Sequence, residues 1–454
     1  MNHKEYNSSK YIVTTKNCDR KIFLNLLNGV VFSTTLKEAE FIKEQLNNLT
    51  GFKSDYPAFF SKLFKMGFII DKNVNELDLI KFRNRNEVFL NRHYRLFLNP
   101  TLECNFNCHY CVQNHAPGKM SNQTKARVMK HIQMIVEKRL VDGINLSWFG
   151  GEPLLYFDEI VYPISKFTKD LFISHNLPYK SSITTNGFFM DETRIKSFND
   201  IGLNSFQITL DGDRDLHDQI RNSNGAPSFD TIINNINSIG KHVDNFNIVL
   251  RINYTGETLE KVKSIFALIN HNYRCKILID FQRIWQTYDT IKGNSTNQLL
   301  LELNEYCSSL GYKIRRLLVY IGRNHTCYVD RYHHLEINYD GLVYKCTARG
   351  YDKEYSIGSL SEDGSIDYDS PRFSTRFSKA TFENEMCIKC KYLPICTGPC
   401  SQKILEINDD VEELKKNCYL RNTEISIDDF IIGYYNDFKN AKTYLSNKTN
   451  VHSS

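Results

Sequence analysis

Apolar and polar residues alternate over the first part of the chain in a way that predicts a small module over residues 1–92. Two apolar runs flank Asn28-Gly29, a pair that favours a two-residue hairpin turn. Strands with two or three amphipathic helices in so short a stretch predict a winged-helix-like module that ends in a charged linker. The elements expected are strands at 21–27, 30–35 and 68–71, and helices at 36–48 and 56–66.

From residue 95 the pattern changes to a strand followed by a helix, repeated six times. Six such units predict an α/β fold, a partial (β/α)6 TIM-like barrel with a parallel sheet, over residues 93–320. Ligands bind at the carboxyl ends of the strands in a sheet of this kind. Strands are expected at 95–99, 143–148, 180–185, 205–210, 247–253 and 276–282, and helices at 121–139, 192–200, 229–239 and 259–270.

Charge and hydropathy exclude several classes of function. The chain has 57 Lys and Arg residues against 52 Asp and Glu residues, an excess too slight to predict nucleic-acid binding. No apolar run is long enough to span a membrane, and the N-terminus lacks the apolar core of a secretory signal. A soluble, cytoplasmic protein with no nucleic-acid or membrane partner is therefore expected.

Ten of the 13 cysteines fall into two groups. The cytoplasm keeps thiols reduced, so metal ligation is a better prediction for them than disulfide bonding. Cys104, Cys108 and Cys111 form the first group, with the spacing CxxxCxxC, directly after the first barrel strand. Three thiolates leave one iron of a four-iron cluster open to a substrate or cofactor. The alternatives are a zinc site, which usually needs a fourth protein ligand, and free thiols.

This loop resembles the CxxxCxΦC signature of the radical S-adenosylmethionine (SAM) superfamily, with Tyr110 at the aromatic position beside the cofactor. The resemblance covers nearly all of residues 95–285. It implies that Cys104, Cys108 and Cys111 are the catalytic residues, because they would hold a [4Fe-4S] cluster that cleaves SAM.

Further motifs of the superfamily follow in the expected order. Gly150, Gly151 and Glu152 resemble the GGE motif, which contacts the methionine amino group of SAM. Glycines let the backbone approach a ligand, and a carboxylate or free backbone carbonyls can accept from an ammonium group. The stretch 184–187 resembles the TNG element beside the same pocket.

Two more stretches are assigned to cofactor binding by the resemblance. Thr209 opens a Thr-Leu-Asp-Gly stretch and would bond to the ribose of SAM. Arg221 ends the HxxxR pattern that begins at His217, and its guanidinium would pair with the methionine carboxylate. Trp285, after the sixth strand, would contact the adenine.

The second group of cysteines resembles the SPASM extension of the superfamily, which predicts a C-terminal iron–sulfur domain over residues 321–454. The resemblance implies two auxiliary [4Fe-4S] clusters, and hence three in all. The first auxiliary cluster would have four cysteine ligands. The second would have three, and is either open to a substrate or completed by another residue such as His333 or His334. The first set is Cys387, Cys390, Cys396 and Cys418, and the second is Cys327, Cys346 and Cys400.

Together these resemblances predict a peptide maturase. Such an enzyme cleaves SAM reductively to a 5′-deoxyadenosyl radical, abstracts hydrogen from a ribosomal precursor peptide, and installs a thioether or carbon–carbon crosslink by oxidation. The module at 1–92 would bind the peptide leader along a sheet edge, and a flavodoxin or ferredoxin would donate electrons.

Two other functions stay open. Anaerobic sulfatase-maturating enzymes, which form formylglycine, share the cysteine plan but carry an acidic residue where this chain has Thr347, although Asp340 or Asp352 could substitute. A non-catalytic iron–sulfur electron carrier is the alternative from another class, and it would need no cofactor pocket.

Overall fold

The structure is a computed structural model that describes residues 5–284, 294–315, 326–396, 398–407, 410–416, 418, 420 and 426–451. Residues 5–90 form five short strands and four α-helices. The strands are β1 (Tyr6–Ser8), β2 (Ile12–Asn17), β3 (Arg20–Asn25), β4 (Val31–Thr35) and β5 (Ile69–Asp71), and the helices are α1 (Leu36–Asn47), α2 (Leu49–Asp55), α3 (Pro57–Lys65) and α4 (Glu76–Arg85).

Six longer strands follow, and helices separate each from the next. The strands are β6 (His93–Leu98), β7 (Gly143–Trp148), β8 (Tyr179–Thr185), β9 (Leu203–Leu210), β10 (Asn247–Tyr254) and β11 (Ile277–Arg283). The helices are α5 (Asn122–Glu137), α6 (Tyr162–Ser174), α7 (Glu192–Ser197), α8 (Arg214–Ile220), α9 (Phe229–His242) and α10 (Ile265–Leu268).

The remaining described strands have two to four residues, and the longest remaining helices are α11 and α17. The strands are β12 (Lys313–Ile314), β13 (His334–Ile337), β14 (Leu342–Tyr344), β15 (Gly358–Leu360) and β16 (Ile366–Tyr368). The helices are α11 (Asn294–Ser309), α12 (Ser370–Ser378), α13 (Glu385–Ile388), α14 (Leu393–Cys396), α15 (Ser401–Ile407), α16 (Val411–Lys416) and α17 (Ile427–Val451).

The central sheet confirms the predicted α/β class. It runs in the order β12-β11-β10-β9-β8-β7-β6-β13-β14-β15-β16, and every pair from β12 to β13 is parallel. Apolar residues at every second position of these strands pack against the helices, and polar residues occupy the opposite face. The carboxyl ends of the strands therefore meet along one edge, where the cysteine loop follows β6.

One predicted helix is interrupted. The stretch expected as a helix over 259–270 forms a 3-10 turn, Leu259–Val262, followed by the short α10. Its buried residues Leu259, Val262 and Ile265 recur at intervals of three. A 3-10 helix has three residues per turn, against 3.6 in an α-helix.

The hairpin expected at Asn28-Gly29 forms, but its loop is wider than the predicted two-residue turn. Five residues separate β3 from β4. The side chain of Asn25 holds this loop, because it accepts from the backbone N–H of Leu27 (2.9 Å) and donates to the carbonyl of Gly67 (2.6 Å). Only Gly29 takes a positive φ, of 77°, whereas a type I′ turn needs two such residues.

The described chain divides into two compact units: residues 1–90, 316–327 and 376–454 form the first, and 91–315 and 328–375 form the second. The three domains expected from the sequence remain a prediction. No helix among the described residues is long and apolar enough to cross a membrane.

In the first unit the sheet β2-β3-β4 is buried on both faces. Phe23 packs with the helices α1 to α3, whereas its neighbours Ile22 and Leu24 pack with residues of the C-terminal segment such as Phe382. Successive side chains of a strand point to opposite faces, so the continuous apolar run 22–24 serves both cores. The N-terminal module and the segment of the second cysteine group therefore share one core.

Candidate active site

The first cysteine group lies in the loop after β6. Cys104 and Cys108 are partly buried and Cys111 is exposed. The backbone N–H of Cys111 donates to the carbonyl of Cys108 (2.9 Å). The Sγ atom of Cys104 accepts hydrogen bonds from the backbone N–H of Phe106 (3.4 Å) and the side-chain amide of Asn186 (3.8 Å). Hydrogen bonds to ligating sulfurs are one of the means by which proteins tune an iron–sulfur cluster.

The chemistry of this loop fits an iron–sulfur cluster. Burial raises the pKa of Cys104 to about 12 and also raises the pKa of Cys108, so both thiols hold their protons in the metal-free chain. Ligation needs thiolates and releases those protons. In the described part of the chain, no group of three or more His, Cys, Asp or Glu side chains is placed to hold a single metal ion. A four-iron cluster is larger, and each thiolate binds a different iron.

Gly150 and Gly151 place the GGE stretch against the residues just before Cys104. The backbone N–H of Gly151 donates to the carbonyl of Thr101 (3.1 Å), and that of Glu152 donates to the carbonyl of Glu103 (2.8 Å). The φ of Gly150 is 108°, a value that favours glycine. The glycines were expected to let the backbone approach a ligand, and the structure places them in close contact with the cysteine loop itself.

The substitution Gly151→Ala is expected to displace the cysteine loop. A Cβ at this position would lie 2.1 Å from the carbonyl oxygen of Glu103, a backbone atom that no rotamer change can move. Overpacking of this kind costs about 1–3 kcal/mol, so we expect a lower melting temperature and less bound iron after reconstitution. Gly433→Ala is the control, because a Cβ at that helical position meets nothing within 4 Å. Iron content equal to wild type in G151A would contradict this account.

The carboxylate of Glu152 joins two strand-end loops. It is fully buried and accepts from the hydroxyl of Thr185 (2.8 Å) and from the backbone N–H groups of Asn186 (2.8 Å) and Leu154 (3.0 Å). Burial raises its pKa despite these donors. The Glu152 side chain thus binds the TNG stretch, and the contact of the GGE motif with the methionine amino group of SAM stays a prediction. The GGE and TNG motifs are therefore one hydrogen-bonded structure.

Tyr110 and Arg221 meet at the carboxyl ends of β9 and β10. The guanidinium of Arg221 donates to the Tyr110 hydroxyl (2.8 Å), as does the side-chain amide of Asn253 (3.2 Å). The Tyr110 hydroxyl in turn donates to Asp211, whose carboxylate lies 3.9 Å from Arg221. Arg221 and Asp211 are both buried. The structure thus brings together two residues expected at the cofactor and adds Asp211 and Asn253, to which the sequence reading gave no role.

His217 is hydrogen-bonded to the backbone of Asp211, a member of this network. Its ring is fully buried, where its Nδ1 accepts from the backbone N–H of Asp211 (3.2 Å) and its Nε2 lies 3.0 Å from the hydroxyl of Ser228. Burial lowers the pKa of His217 to about 2, so the ring is neutral. The HxxxR pattern therefore joins a positioning histidine to the arginine four residues later.

Thr209 and Trp285 were also expected to contact SAM. Thr209 is the penultimate residue of β9, is buried, and pairs in register with Arg251 of β10. Its contact with the ribose stays a prediction. Trp285 lies outside the described residues.

A buried carboxyl group lies on the polar face of β13, beside the end of β6. Glu336 is fully buried, and its Oε1 accepts from the Tyr351 hydroxyl and from the amide of Asn99 (3.2 Å). Burial raises the pKa of Glu336 to about 7, well above the value of about 4.3 in an unfolded chain. The folded protein therefore binds this proton more tightly than the unfolded chain does.

The stabilisation from this proton is complete below about pH 4.3 and is lost as the pH rises to about 7. The loss amounts to about 4 kcal/mol, at about 1.4 kcal/mol per pH unit. Glu336→Gln keeps the shape without the titration, so the melting temperature of the variant relative to wild type should rise between pH 5 and pH 8. Glu362→Gln, at an exposed position, is the control. A constant difference between E336Q and wild type across this range would refute the assignment.

Four cysteines of the second group come together in the first unit. Cys390 and Cys418 both act electrostatically on Cys387, and all three act on Cys396. Burial is the main cause that raises the pKa of Cys396 to about 12. These thiols lie on and around α13 and α14, next to the core that the N-terminal sheet shares.

The three cysteines of the other auxiliary set are divided between the units. Cys327 and Cys400 belong to the first unit and Cys346 to the second, and a common cluster remains a prediction. His334 is fully buried. Its Nε2 lies 2.9 Å from the carbonyl of Lys345, and its Nδ1 has no hydrogen-bond partner in the described structure. Ligation by His333 or His334 also remains a prediction.

Comparison with known proteins agrees with this site. Residues 98–269 match the Radical SAM superfamily. The Cysteine-type anaerobic sulfatase-maturating enzyme of Clostridium perfringens is 22% identical over 364 residues, which cover 69% of this chain and 90% of that protein. The radical SAM cyclopropyl synthase TigE of Paramaledivibacter caminithermalis is 22% identical over 459 residues, which cover 88% of this chain and 90% of the relative.

The fold is similar to that of a solved structure, native anSMEcpe with bound AdoMet. The TM-score is 0.53 at 19% identity, and the match covers 72% of this chain and 97% of the other. The matched residues 98–269 include the cysteine loop, the GGE and TNG stretches and Arg221. Residues 98–269 of this chain, which carry the candidate site, therefore match the radical SAM superfamily.

Proposed function

We propose that this chain is a radical SAM peptide maturase that cleaves SAM reductively and crosslinks a ribosomal precursor peptide by oxidation. The observation that carries the proposal is the convergence of the three-cysteine loop, the joined GGE and TNG stretches and the Arg221 network at one edge of a parallel sheet. An electron carrier needs a cluster but no such cofactor pocket.

Cys104, Cys108 and Cys111 would hold a [4Fe-4S] cluster with one open iron, and Arg221, Tyr110 and the GGE stretch would hold SAM beside it. When bound, the two together supply a 5′-deoxyadenosyl radical that removes a hydrogen atom from the substrate. Glu152 fixes the loop that carries Asn186, and so fixes the amide that contacts Cys104. Asp211 and His217 hold Arg221 in a buried position, ready for a carboxylate.

Auxiliary clusters at the second cysteine group would take up the electron that remains on the substrate. The proximity of Cys387, Cys390, Cys396 and Cys418 supports one such cluster. Loss of one hydrogen atom and then of one electron and one proton leaves the substrate two electrons more oxidised, which is what a new thioether or carbon–carbon bond requires. A flavodoxin or ferredoxin would supply the electron for SAM cleavage.

The N-terminal module would bind the leader of the peptide. The strand β4 pairs only with β3 among the described residues, so its outer edge can accept an added strand. The opposite edge belongs to β2. Backbone hydrogen bonds along such an edge bind a peptide with little demand on its side chains.

Sulfatase maturation is the second candidate, and the Clostridium perfringens relative favours it. Those enzymes resemble one another in an acidic residue where Thr347 stands here. The Thr347 hydroxyl lies 2.7 Å from that of Tyr328, so a neutral pair occupies this position. That pair counts against the same base chemistry.

Short peptides encoded beside the gene provide the test. Each is synthesised, incubated anaerobically with reconstituted protein, SAM and a reductant, and analysed by mass spectrometry with and without an aldehyde-reactive probe. A crosslink gives a loss of two hydrogen atoms, no reaction with the probe and a bridged fragmentation pattern. Reaction with the probe, on a peptide carrying a sulfatase motif, would replace the proposal with formylglycine formation.

A further inference from the structure

Four residues form a row across the polar face of the sheet. Three lie on the adjacent strands β9, β10 and β11, and the fourth directly follows β12; they are Thr209, Arg251, Asp280 and Arg315. Thr209 pairs in register with Arg251, and Arg251 pairs with Asp280. β11 and β12 are also parallel, and Ile279 pairs in register with Ile314. The backbone N–H of Arg315 donates to the carbonyl of Ile279 (2.9 Å). Arg315 therefore follows next to Asp280. The row begins at the expected ribose contact and leads away from it.

Asp280 is the only anion in this row, and it lies between two arginines. Its side chain is 1% exposed. Its Oδ2 accepts from the Nη2 of Arg251 (3.2 Å), and its Oδ1 lies 3.5 Å from the Nε of Arg315 and accepts from the amide of Gln282 (2.7 Å). One carboxylate thus faces two guanidinium groups, and the row carries a net charge of plus one.

The arginines keep unused donors on the open side. The side chain of Arg251 is 32% exposed and that of Arg315 is 41% exposed. Arg251 donates to Asp280 through Nε and Nη2, and its Nη1 has no partner among the described residues. A guanidinium held on one side by a buried carboxylate is preorganised to bind a second carboxylate on its other side.

We propose that Arg251 and Arg315, oriented by Asp280, form a carboxylate-binding subsite next to the cofactor pocket. This inference rests on the proposed function, because a radical enzyme must hold its substrate beside the cofactor. The carboxylate belongs to an acidic side chain of the peptide substrate, and the methionine carboxylate of SAM, which is assigned above to Arg221, is the competing source. The two sources share the same chemistry and are distinguished by the experiment below.

The experiment uses reconstituted full-length protein and two probes that differ only in charge, N-acetyl-L-glutamate amide and N-acetyl-L-glutamine amide. Binding is followed by ligand-observed NMR, with and without saturating SAM, for wild type, Arg251→Gln, Arg315→Gln and Arg251→Lys. Lys313→Gln is the control, because Lys313 is an exposed residue of β12, the strand that directly precedes Arg315, and its replacement also removes one positive charge. Melting temperatures identify any variant that fails to fold, and Arg315→Gln keeps both hydrogen bonds between Arg251 and Asp280.

The glutamate probe should bind wild type and K313Q, whereas the glutamine probe should bind neither. The substitutions R251Q and R315Q should weaken binding of the glutamate probe about tenfold or more, as expected for a lost charge-assisted hydrogen bond. R251K should restore part of the binding. If the probe binds in the presence of SAM, the subsite serves the substrate.

If SAM displaces the probe and R251Q weakens SAM binding by a similar factor in equilibrium dialysis, the subsite serves the cofactor. Equal binding of both probes by every variant, with SAM affinity unchanged, would overturn the subsite. Formation of 5′-deoxyadenosine by the same samples tests the proposed function separately, so this inference can fail while the proposed function stands.

Discussion

Replacing Cys104, Cys108 or Cys111 by Ala should abolish 5′-deoxyadenosine formation and remove about four irons per chain, the content of one [4Fe-4S] cluster. The cluster has only three protein ligands, and each variant leaves two, which are too few to retain it. Cys104 also accepts hydrogen bonds from Phe106 and Asn186, so its replacement removes both of these hydrogen bonds.

The measurement is iron and sulfide analysis with chromatographic detection of 5′-deoxyadenosine after reduction. Cys275→Ala is the control, because Cys275 is exposed and lies outside both groups. Persistent SAM cleavage in C104A, C108A and C111A would place the chemistry elsewhere in the chain.

Replacing Cys387, Cys390, Cys396 or Cys418 by Ala should separate SAM cleavage from substrate oxidation. Each variant should lose about four irons but still form 5′-deoxyadenosine, because the first cysteine group is intact. Crosslinked product should fall to background, since the electron left on the substrate has no acceptor. The melting temperature should also fall, because Cys387 belongs to the core shared with the N-terminal sheet.

Cys18→Ala is the matched control in the same unit, where Cys18 is exposed. Iron is counted first, and 5′-deoxyadenosine and peptide product are then quantified in the same reaction. Full product from these variants would exclude an auxiliary cluster at this site. Loss of product together with loss of 5′-deoxyadenosine would instead indicate general misfolding.

The barrel was predictable because its strands carry a strong local signal. The strand expected at 143–148 matches β7 exactly in its bounds, and the other five agree to within about two residues, which is the usual uncertainty of element ends. Buried parallel strands need apolar side chains toward the helices at every second position. That requirement is visible in the sequence without any knowledge of long-range contacts.

The roles of single residues were less predictable because they depend on partners far along the chain. The sequence does not indicate that the carboxylate of Glu152 binds Thr185 and Asn186, which lie more than 30 residues later. The sequence assigns no role to Asp211, because its contact with Tyr110 spans 101 residues. Local spacing cannot report either contact.

The association of the N-terminal module with the C-terminal segment was also hidden from the sequence. Burial of both faces of β3 follows from the apolar run 22–24, but the run does not say what covers the second face. In the structure Tyr434 donates to the carbonyl of Gly29 (2.9 Å), a contact between residues 405 positions apart. Such pairing is set by tertiary packing rather than by local pattern.

The most direct test of the central claim is anaerobic reconstitution of the wild-type chain, followed by measurement of iron, sulfide, zinc, 5′-deoxyadenosine and methionine after addition of SAM and a strong reductant. The account predicts about twelve irons per chain, four for each of three clusters, with equal amounts of 5′-deoxyadenosine and methionine. Stoichiometric zinc, or iron without any cleavage of SAM, would contradict it and leave a metal-stabilised binding protein as the better description.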